Sequence, residues 1–430
     1  MAAGLADTGV RVDRRHDVDD DAARRRDDRN TAMIARVHPA VVVGGVAGWA
    51  VALAPGQLPR PALLLAVVGT VLALIGMGVG SLVSMAARGR TASREFLAGT
   101  AVVVGGLLVP ALWWQTRVCE DLGAPTPGIG WVATVAGVPL LVAGAVVVIP
   151  ARAWAIGAVL AALVAGPAAT ANAAAPNLPD DARLTYSMLS DGSFDERAHA
   201  LVDTWAASDG PDQRAVVVAV PTGSGWIDAS AVDGFVSRFD GSVRFLGMQY
   251  SDVPSWQAYV RSPDVAGASA IAVLRALDDR SATMAHRPQI YLYGQSLGAI
   301  GADAARAWAD RTGVDVSGTV LSGAPAGSVE SLPDCARRVS IANATDPVAD
   351  FQASLLWRAP HHASGTRTIG AEPSMRVPWT PVASFVGTAL DLAVSLDGPV
   401  GSGHHYGVEQ GLAVAQMPAG CQTMGPRAAS

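Results

Sequence analysis

The sequence predicts two architectures in one chain: a bundle of α-helical transmembrane segments, then an α/β domain with a mostly parallel sheet and helices on both faces. Three observations carry that expectation. Half of the 430 residues are hydrophobic and only 16% are charged, which is too apolar for an ordinary soluble protein. The apolar excess lies between His38 and Ala175, and from Pro176 onward short β-favouring runs alternate with helical ones, the pattern of strands joined by crossover helices. Within that second part, Gln289 to Gly298 reads Q-I-Y-L-Y-G-Q-S-L-G, a strand running into G-x-S-x-G and an alanine-rich helix. The organisation read from this is a charged tail at 1–37, a membrane domain at 38–175 and a catalytic domain at 176–430.

The tail interleaves arginine with aspartate and has few apolar residues. It cannot bury enough surface to fold, so a solvated, charge-balanced segment is expected. Five apolar stretches follow, at Pro39 to Leu53, Pro61 to Met85, Phe96 to Gln115, Gly128 to Ile149 and Ala153 to Ala169. A bilayer-crossing helix needs about 20 residues, so the first and last are short and four spans is the alternative count. Arg88, Arg90 and Arg94 lie between the second and third stretches and Arg152 between the fourth and fifth. The excess of positive charge in cytoplasmic loops puts these inside, and with five spans the domain after Ala175 is then extracytoplasmic. No stretch carries a central ionisable residue, which favours anchoring in the bilayer over an ion pathway.

The net charge of −6 is spread without a basic block, and no nucleic-acid partner is expected. Three cysteines without C-x-x-C spacing give no reason to expect a metal or redox site, and no cofactor is expected.

In the second part, strands are expected at Ala215 to Val220, Val243 to Tyr250, Gln289 to Gly294, Ser317 to Leu321 and Val339 to Ala342. Helices are expected at Val232 to Phe239, Ala266 to Leu277 and Ala299 to Asp310. The strand–turn–helix around Ser296 is a nucleophile elbow, a sharp turn that lifts a serine hydroxyl clear of the sheet. A serine nucleophile needs a base, the base needs an orienting acid, and the tetrahedral intermediate needs N–H donors. Asp346 follows the strand Val339 to Ala342 and reaches the same sheet edge as Ser296, with Asp350 as the fallback acid. The glycine-rich Gly401 to Gly407 offers His404 as base and His405 as its rival. His286 and His199 fall at the wrong places in the strand order, and His361 and His362 sit in a loop that could fold over the site. The oxyanion donors are expected from Leu297 and from Gly223 or Ser224 in Pro221 to Trp226, each such donor being worth about 3 kcal/mol to the transition state.

Taken together, P-T-G-S-G-W at Pro221 to Trp226, M-Q-Y-S and P-S-W between Met248 and Trp256, Y-L-Y-G-Q-S-L-G at Tyr291 to Gly298, D-P-V at Asp346 to Val348 and G-x-G-H-x-Y at Gly401 to Tyr406 form a specific combination. It resembles the membrane-bound bacterial α/β-hydrolases that carry an N-terminal multi-helix membrane domain. The resemblance implies an α/β-hydrolase domain and supports Ser296, Asp346 and His404 as a catalytic triad. The segment Pro381 to Leu396 reads as a helix where the general hydrolase plan has a final strand.

An extracytoplasmic domain also allows Cys335 and Cys421 to pair, closing a long loop around Asp346 and His404 worth about 4 kcal/mol in the chain-entropy model. Two unpaired thiols are the alternative, and Cys119 is left over. The functional expectation is a membrane-anchored serine esterase acting on lipid or acylated cell-envelope substrates. An acyltransferase using the same triad and a non-catalytic membrane scaffold are the competing readings.

Overall fold

The computed structural model describes residues 37–86, 91–148, 178–179, 181–360 and 365–421. The charged tail, the fifth apolar stretch (Ala153 to Ala169), His361 and His362 lie outside the described residues. The described chain forms two compact units. One holds residues up to Leu53, Leu65–Pro110 and the residues from Ile129 to 148; the other holds Ala54–Leu64, Ala111–Gly128 and everything described from 178 onward.

The first unit holds α1 (Pro39–Ala52), α4 (Ile129–Val148) and most of α2 (Ala62–Ala86) and α3 (Arg94–Asp121), the residues of α2 before Leu65 and of α3 from Ala111 belonging to the second unit. Glycine sets the crossing of α1 and α2. A Cβ on Gly44 would overlap the backbone of Gly76, and one on Gly48 would overlap that of Leu72. Small residues at four-residue spacing bring two backbones into direct contact, which is how helices associate where no hydrophobic drive exists between them. Three described helices, α2, α3 and α4, are long and apolar enough to cross a membrane. The first, short stretch forms α1, with 14 residues, which at 1.5 Å per residue is about 21 Å beside a hydrocarbon core of about 30 Å.

The second unit carries β1 (Leu184–Ser187), α5 (Phe194–Ala206), β2 (Ala215–Val220), α6 (Ala229–Arg238), β3 (Val243–Met248), α7 (Ser255–Arg261), α8 (Asp264–Ser281), β4 (Gln289–Gln295), α9 (Leu297–Thr312), β5 (Gly318–Ser322), β6 (Arg338–Asn343), α10 (Pro347–Asp350), β7 (Thr366–Ile369), α11 (Ala383–Leu392) and α12 (Glu409–Leu412). The strands form one sheet in the order β1-β3-β2-β4-β5-β6-β7, and every pairing is parallel. Parallel strands covered on both faces are apolar throughout, and β2, sequence AVVVAV, is buried at every residue.

One face of the sheet packs Trp205, Leu274, Leu277 and the alanines of α9 against Val218 and Leu292. The other packs Phe235, Phe239 and Phe245 against Val217 and Tyr293. Helix α9, which follows the elbow, is locked to the sheet by a buried charge cluster: Asp303 Oδ1 accepts from Arg306 Nε (2.8 Å) and from Arg338 Nη1 at the start of β6 (3.0 Å). The elements that deliver the serine and the acid are thereby fixed to each other.

The expected strands and helices all form, with ends shifted by a few residues. Two edge strands, β1 and β7, are additions. Strand β7 is the last strand, and the segment after it is the expected helix, α11. Cys335 and Cys421 form a disulfide, and Cys119 is a buried free thiol in α3.

Candidate active site

Because the sheet is parallel, the ends of β2, β4 and β6 lie along one edge, where α/β domains bind their ligands. Ser296 follows β4 directly, with φ 55° and ψ −123°. A non-glycine residue at positive φ costs on the order of 1–3 kcal/mol, and the turn persists because small residues crowd it. A Cβ on Gly294 would overlap the backbone of Gly298, and one on Gly298 would overlap the Val220 carbonyl. Ser296 N–H donates to Ser322 O across the sheet (2.9 Å). Leu297 begins the 16-residue α9, so its N–H has no acceptor within the helix and lies at the positive end of the helix dipole.

Asp346 uses its two oxygens differently. Oδ1 caps α10 by accepting from Val348 N–H (2.9 Å). Oδ2 lies 2.8 Å from His404 Nδ1 and accepts from the Tyr406 hydroxyl at 2.5 Å. Both Asp346 and His404 are buried. A carboxylate only accepts, so Nδ1–H is the donor in this pair. Nε2 makes no hydrogen bond to a described protein group.

The histidine loop is stitched to the acid loop by further bonds. Asn343 Nδ2 donates to Gly403 O (3.0 Å) and His405 O (3.1 Å), Gly403 N–H donates to Thr345 Oγ1 (2.8 Å), and Tyr406 Oη accepts from Asn343 N–H (3.2 Å). Burial and the neighbouring Asp346 charge hold the Tyr406 hydroxyl well above its ordinary pKa, so it remains a proton donor. Sequence reasoning did not assign roles to Asn343, Thr345 or Tyr406. The available signal was a polar N-A-T-D cluster directly after a buried strand, where loop polar groups need partners.

Gly323 joins the serine side to the base side. It sits at φ 54°, and a Cβ there would lie 2.6 Å from His404 Cε1 and 2.8 Å from Asp346 Oδ2. Its neighbour Ser322 is the residue whose carbonyl holds Ser296 N–H, while Gln295 Nε2 donates to His404 O (3.4 Å). The structure thus gathers Ser296, Asp346 and His404 at one edge, with the Asp346–His404 pair hydrogen-bonded and His404 Nε2 buried without a hydrogen bond to a described group.

The loop after β2 is held by Tyr250 Oη, which donates to Pro221 O (3.0 Å), and by Tyr186 Oη, which donates to Gly225 O (2.7 Å). Gly223 N–H donates to Ser255 Oγ (3.2 Å), and Gly225 N–H donates to Thr222 O (2.9 Å), so Ser224 is the residue of that turn whose N–H is not engaged by these bonds. The rival residues sit elsewhere. His405 Nδ1 pairs with Gly398 O (2.9 Å), and Asp350 lies in α10 beside Gln57 Nε2 (3.4 Å). His199 is exposed on α5 against Asp195 O, and His286 is exposed ahead of β4.

Among the described residues, no group of three or more His, Cys, Asp or Glu side chains could hold a metal ion. The arrangement sets a histidine whose Nδ1 is fixed by an acid at the sheet edge that carries Ser296.

A family model described as an alpha/beta-hydrolase family matches residues 183–332 and 333–422, over half of the chain. No curated protein matches in sequence. Among solved structures, a cutinase-like protein from Cryptococcus sp. aligns with 44% of this chain and 98% of its own length, at 14% identity and a TM-score of 0.24.

Proposed function

Because the chain belongs to the alpha/beta-hydrolase family, we propose that it is a membrane-anchored serine hydrolase that cleaves ester bonds in lipid or acylated cell-envelope substrates through an acyl-enzyme. The observation that carries this reading is the buried His404, fixed to Asp346 at 2.8 Å and left with an unpartnered Nε2 at the sheet edge that bears the Ser296 elbow.

In the reaction, Ser296 Oγ attacks the ester carbonyl while His404 Nε2 takes the hydroxyl proton. The Leu297 and Ser224 N–H groups hold the oxyanion, and Asp346 stabilises the imidazolium. Collapse breaks the ester bond, and His404 returns its proton to the departing alcohol. Water then loses a proton to His404, attacks the acyl group and releases the acid, restoring Ser296. Tyr406, as a second donor to Asp346 Oδ2, keeps the carboxylate aimed at Nδ1 through the cycle.

The apolar helices support anchoring, since three of them are long enough to span a bilayer. The Cys335–Cys421 disulfide supports an extracytoplasmic catalytic domain, because such bonds persist in oxidising compartments. Hydrolysis of p-nitrophenyl esters by the full chain in detergent tests the activity. Wild type should turn over, and Ser296→Ala and His404→Ala should fall to background; wild-type rates in both variants would defeat the reading.

A further inference from the structure

The segment between α1 and α2 is, by its contacts, part of the catalytic unit: Ala54–Leu64 groups with the sheet domain. Its anchor is Arg60. The guanidinium donates from Nε to Asp391 Oδ1 (2.8 Å), from Nη1 to Ala54 O (2.7 Å) and from Nη2 to Gly387 O (2.8 Å). The Arg60 and Asp391 side chains are 1% and 4% exposed. Asp391 Oδ2 accepts from Gln57 N–H (2.8 Å), Gln115 Oε1 accepts from Arg60 N–H (2.9 Å), and Trp114 Nε1 donates to Gly56 O (2.8 Å). A charge so fully withdrawn from water is tolerated only when paired and hydrogen-bonded on every side, so the segment has one geometry and holds α11 in one place.

That helix leads to the base. Asp391 lies in the last turn of α11, and three residues after the helix Ser395 O accepts from His404 N–H (2.7 Å). Leu58, at 1% exposure, fills the remaining side. It packs with Val118, Leu122 and Val394, and its Cδ1 lies 3.2 Å from where a Cβ on Gly403 would be. Gly403 is the residue before His404 and sits at φ 54°, so any drift of Leu58 or of Ser395 moves the imidazole directly. Asn343 and Thr345 hold this loop from the acid side, while Leu58 and Ser395 back it from the opposite side.

We infer that Leu58 and Arg60, contributed from between the first two apolar helices, are positioning residues for His404, so that the N-terminal half of the chain completes the hydrolytic site. The inference rests on the serine-hydrolase reading of Ser296, Asp346 and His404. It implies that the membrane region supplies part of the site's framework and is more than a tether. Leu58 acts by shape and Arg60 by charge, and both act through the path of the loop 395–404.

The test uses the full-length protein in detergent, with p-nitrophenyl butyrate as the probe and kcat, KM and the pH profile of kcat as readouts. Leu58→Ala and Arg60→Met are expected to lower kcat about tenfold or more with KM within about twofold, as a misplaced base does. They should also displace the acidic limb of the pH profile. Leu58→Met should restore both. Thermal unfolding on the same preparations separates misplacement from collapse. If Leu58→Ala does not fold, Leu58→Val, which removes one methylene, carries the comparison. Wild-type kcat and pH profile in folded Leu58 and Arg60 variants, with Ser296→Ala inactive, would overturn this inference while leaving the hydrolase reading intact. Wild-type activity in Ser296→Ala would instead overturn the hydrolase reading beneath it.

Discussion

The two sides of the proposed site are held by different physics. On the base side, Asp346, His404 and Tyr406 are joined by directional hydrogen bonds, and Asn343 and Thr345 add more. On the nucleophile side, Ser296 is held by backbone crowding at Gly294 and Gly298, with one backbone bond to Ser322. The first side is sensitive to losing a polar atom, and the second to gaining volume. Substitutions that leave size unchanged should therefore damage one side, and substitutions that add a methyl group or more should damage the other.

The largest effect is expected at Asp346→Asn, which keeps the shape but removes the pure acceptor that selects the His404 tautomer. Catalysis with the wrong tautomer is slower by about 10⁴ in the comparable serine triad, and a fall in kcat of about a thousandfold or more, measured on p-nitrophenyl butyrate, is expected here. Next is Gly298→Val, whose branched side chain would enter the Val220 carbonyl. Overpacking of this kind costs about 1–3 kcal/mol or more, visible as a lower thermal midpoint together with lost ester hydrolysis.

Tyr406→Phe should cost less. It removes the donor to Asp346 Oδ2 and the acceptor for Asn343 N–H, about 1–3 kcal/mol for a buried group left unpaired. Its signature is a roughly tenfold lower kcat with KM unchanged. Smallest is His405→Gln: its ring nitrogen Nδ1 pairs with the Gly398 carbonyl and not with Asp346, and kcat should stay within about twofold, as for changes away from the machinery. A Tyr406→Phe enzyme at full activity, or a dead His405→Gln, would break the contrast between a bonded base side and a packed nucleophile side.

What the sequence made legible follows the same division. The elbow is local: a strand, two glycines and a helix within a dozen residues identify Ser296. Asp346 was readable because it follows a strand that ends at the edge carrying Ser296, and His404 because it sits in a glycine-rich loop after all the strands, although 58 residues separate the two. Asn343, Thr345 and Tyr406 escaped notice because their partners lie in the opposite loop and no local spacing encodes that meeting.

Strands β1 and β7 were missed for another reason. Each has only four residues, and β7, sequence TRTI, is an edge strand with two exposed positions, so it lacks the apolar run that marks buried strands. Leu58 and Arg60 were hidden most deeply. They sit in a stretch read as a break between membrane spans, and the partner of Arg60 lies 331 residues away. The first apolar stretch was legible as short, and α1 has 14 residues.

The central claim is that Ser296 is a nucleophile activated by His404. Treating the full-length protein with a fluorophosphonate probe, then comparing labelling of wild type with Ser296→Ala, tests it most directly. The account predicts a labelled wild type whose modified peptide contains Ser296, and no labelling of the variant. Equal labelling of both proteins, or modification at another serine, would contradict it.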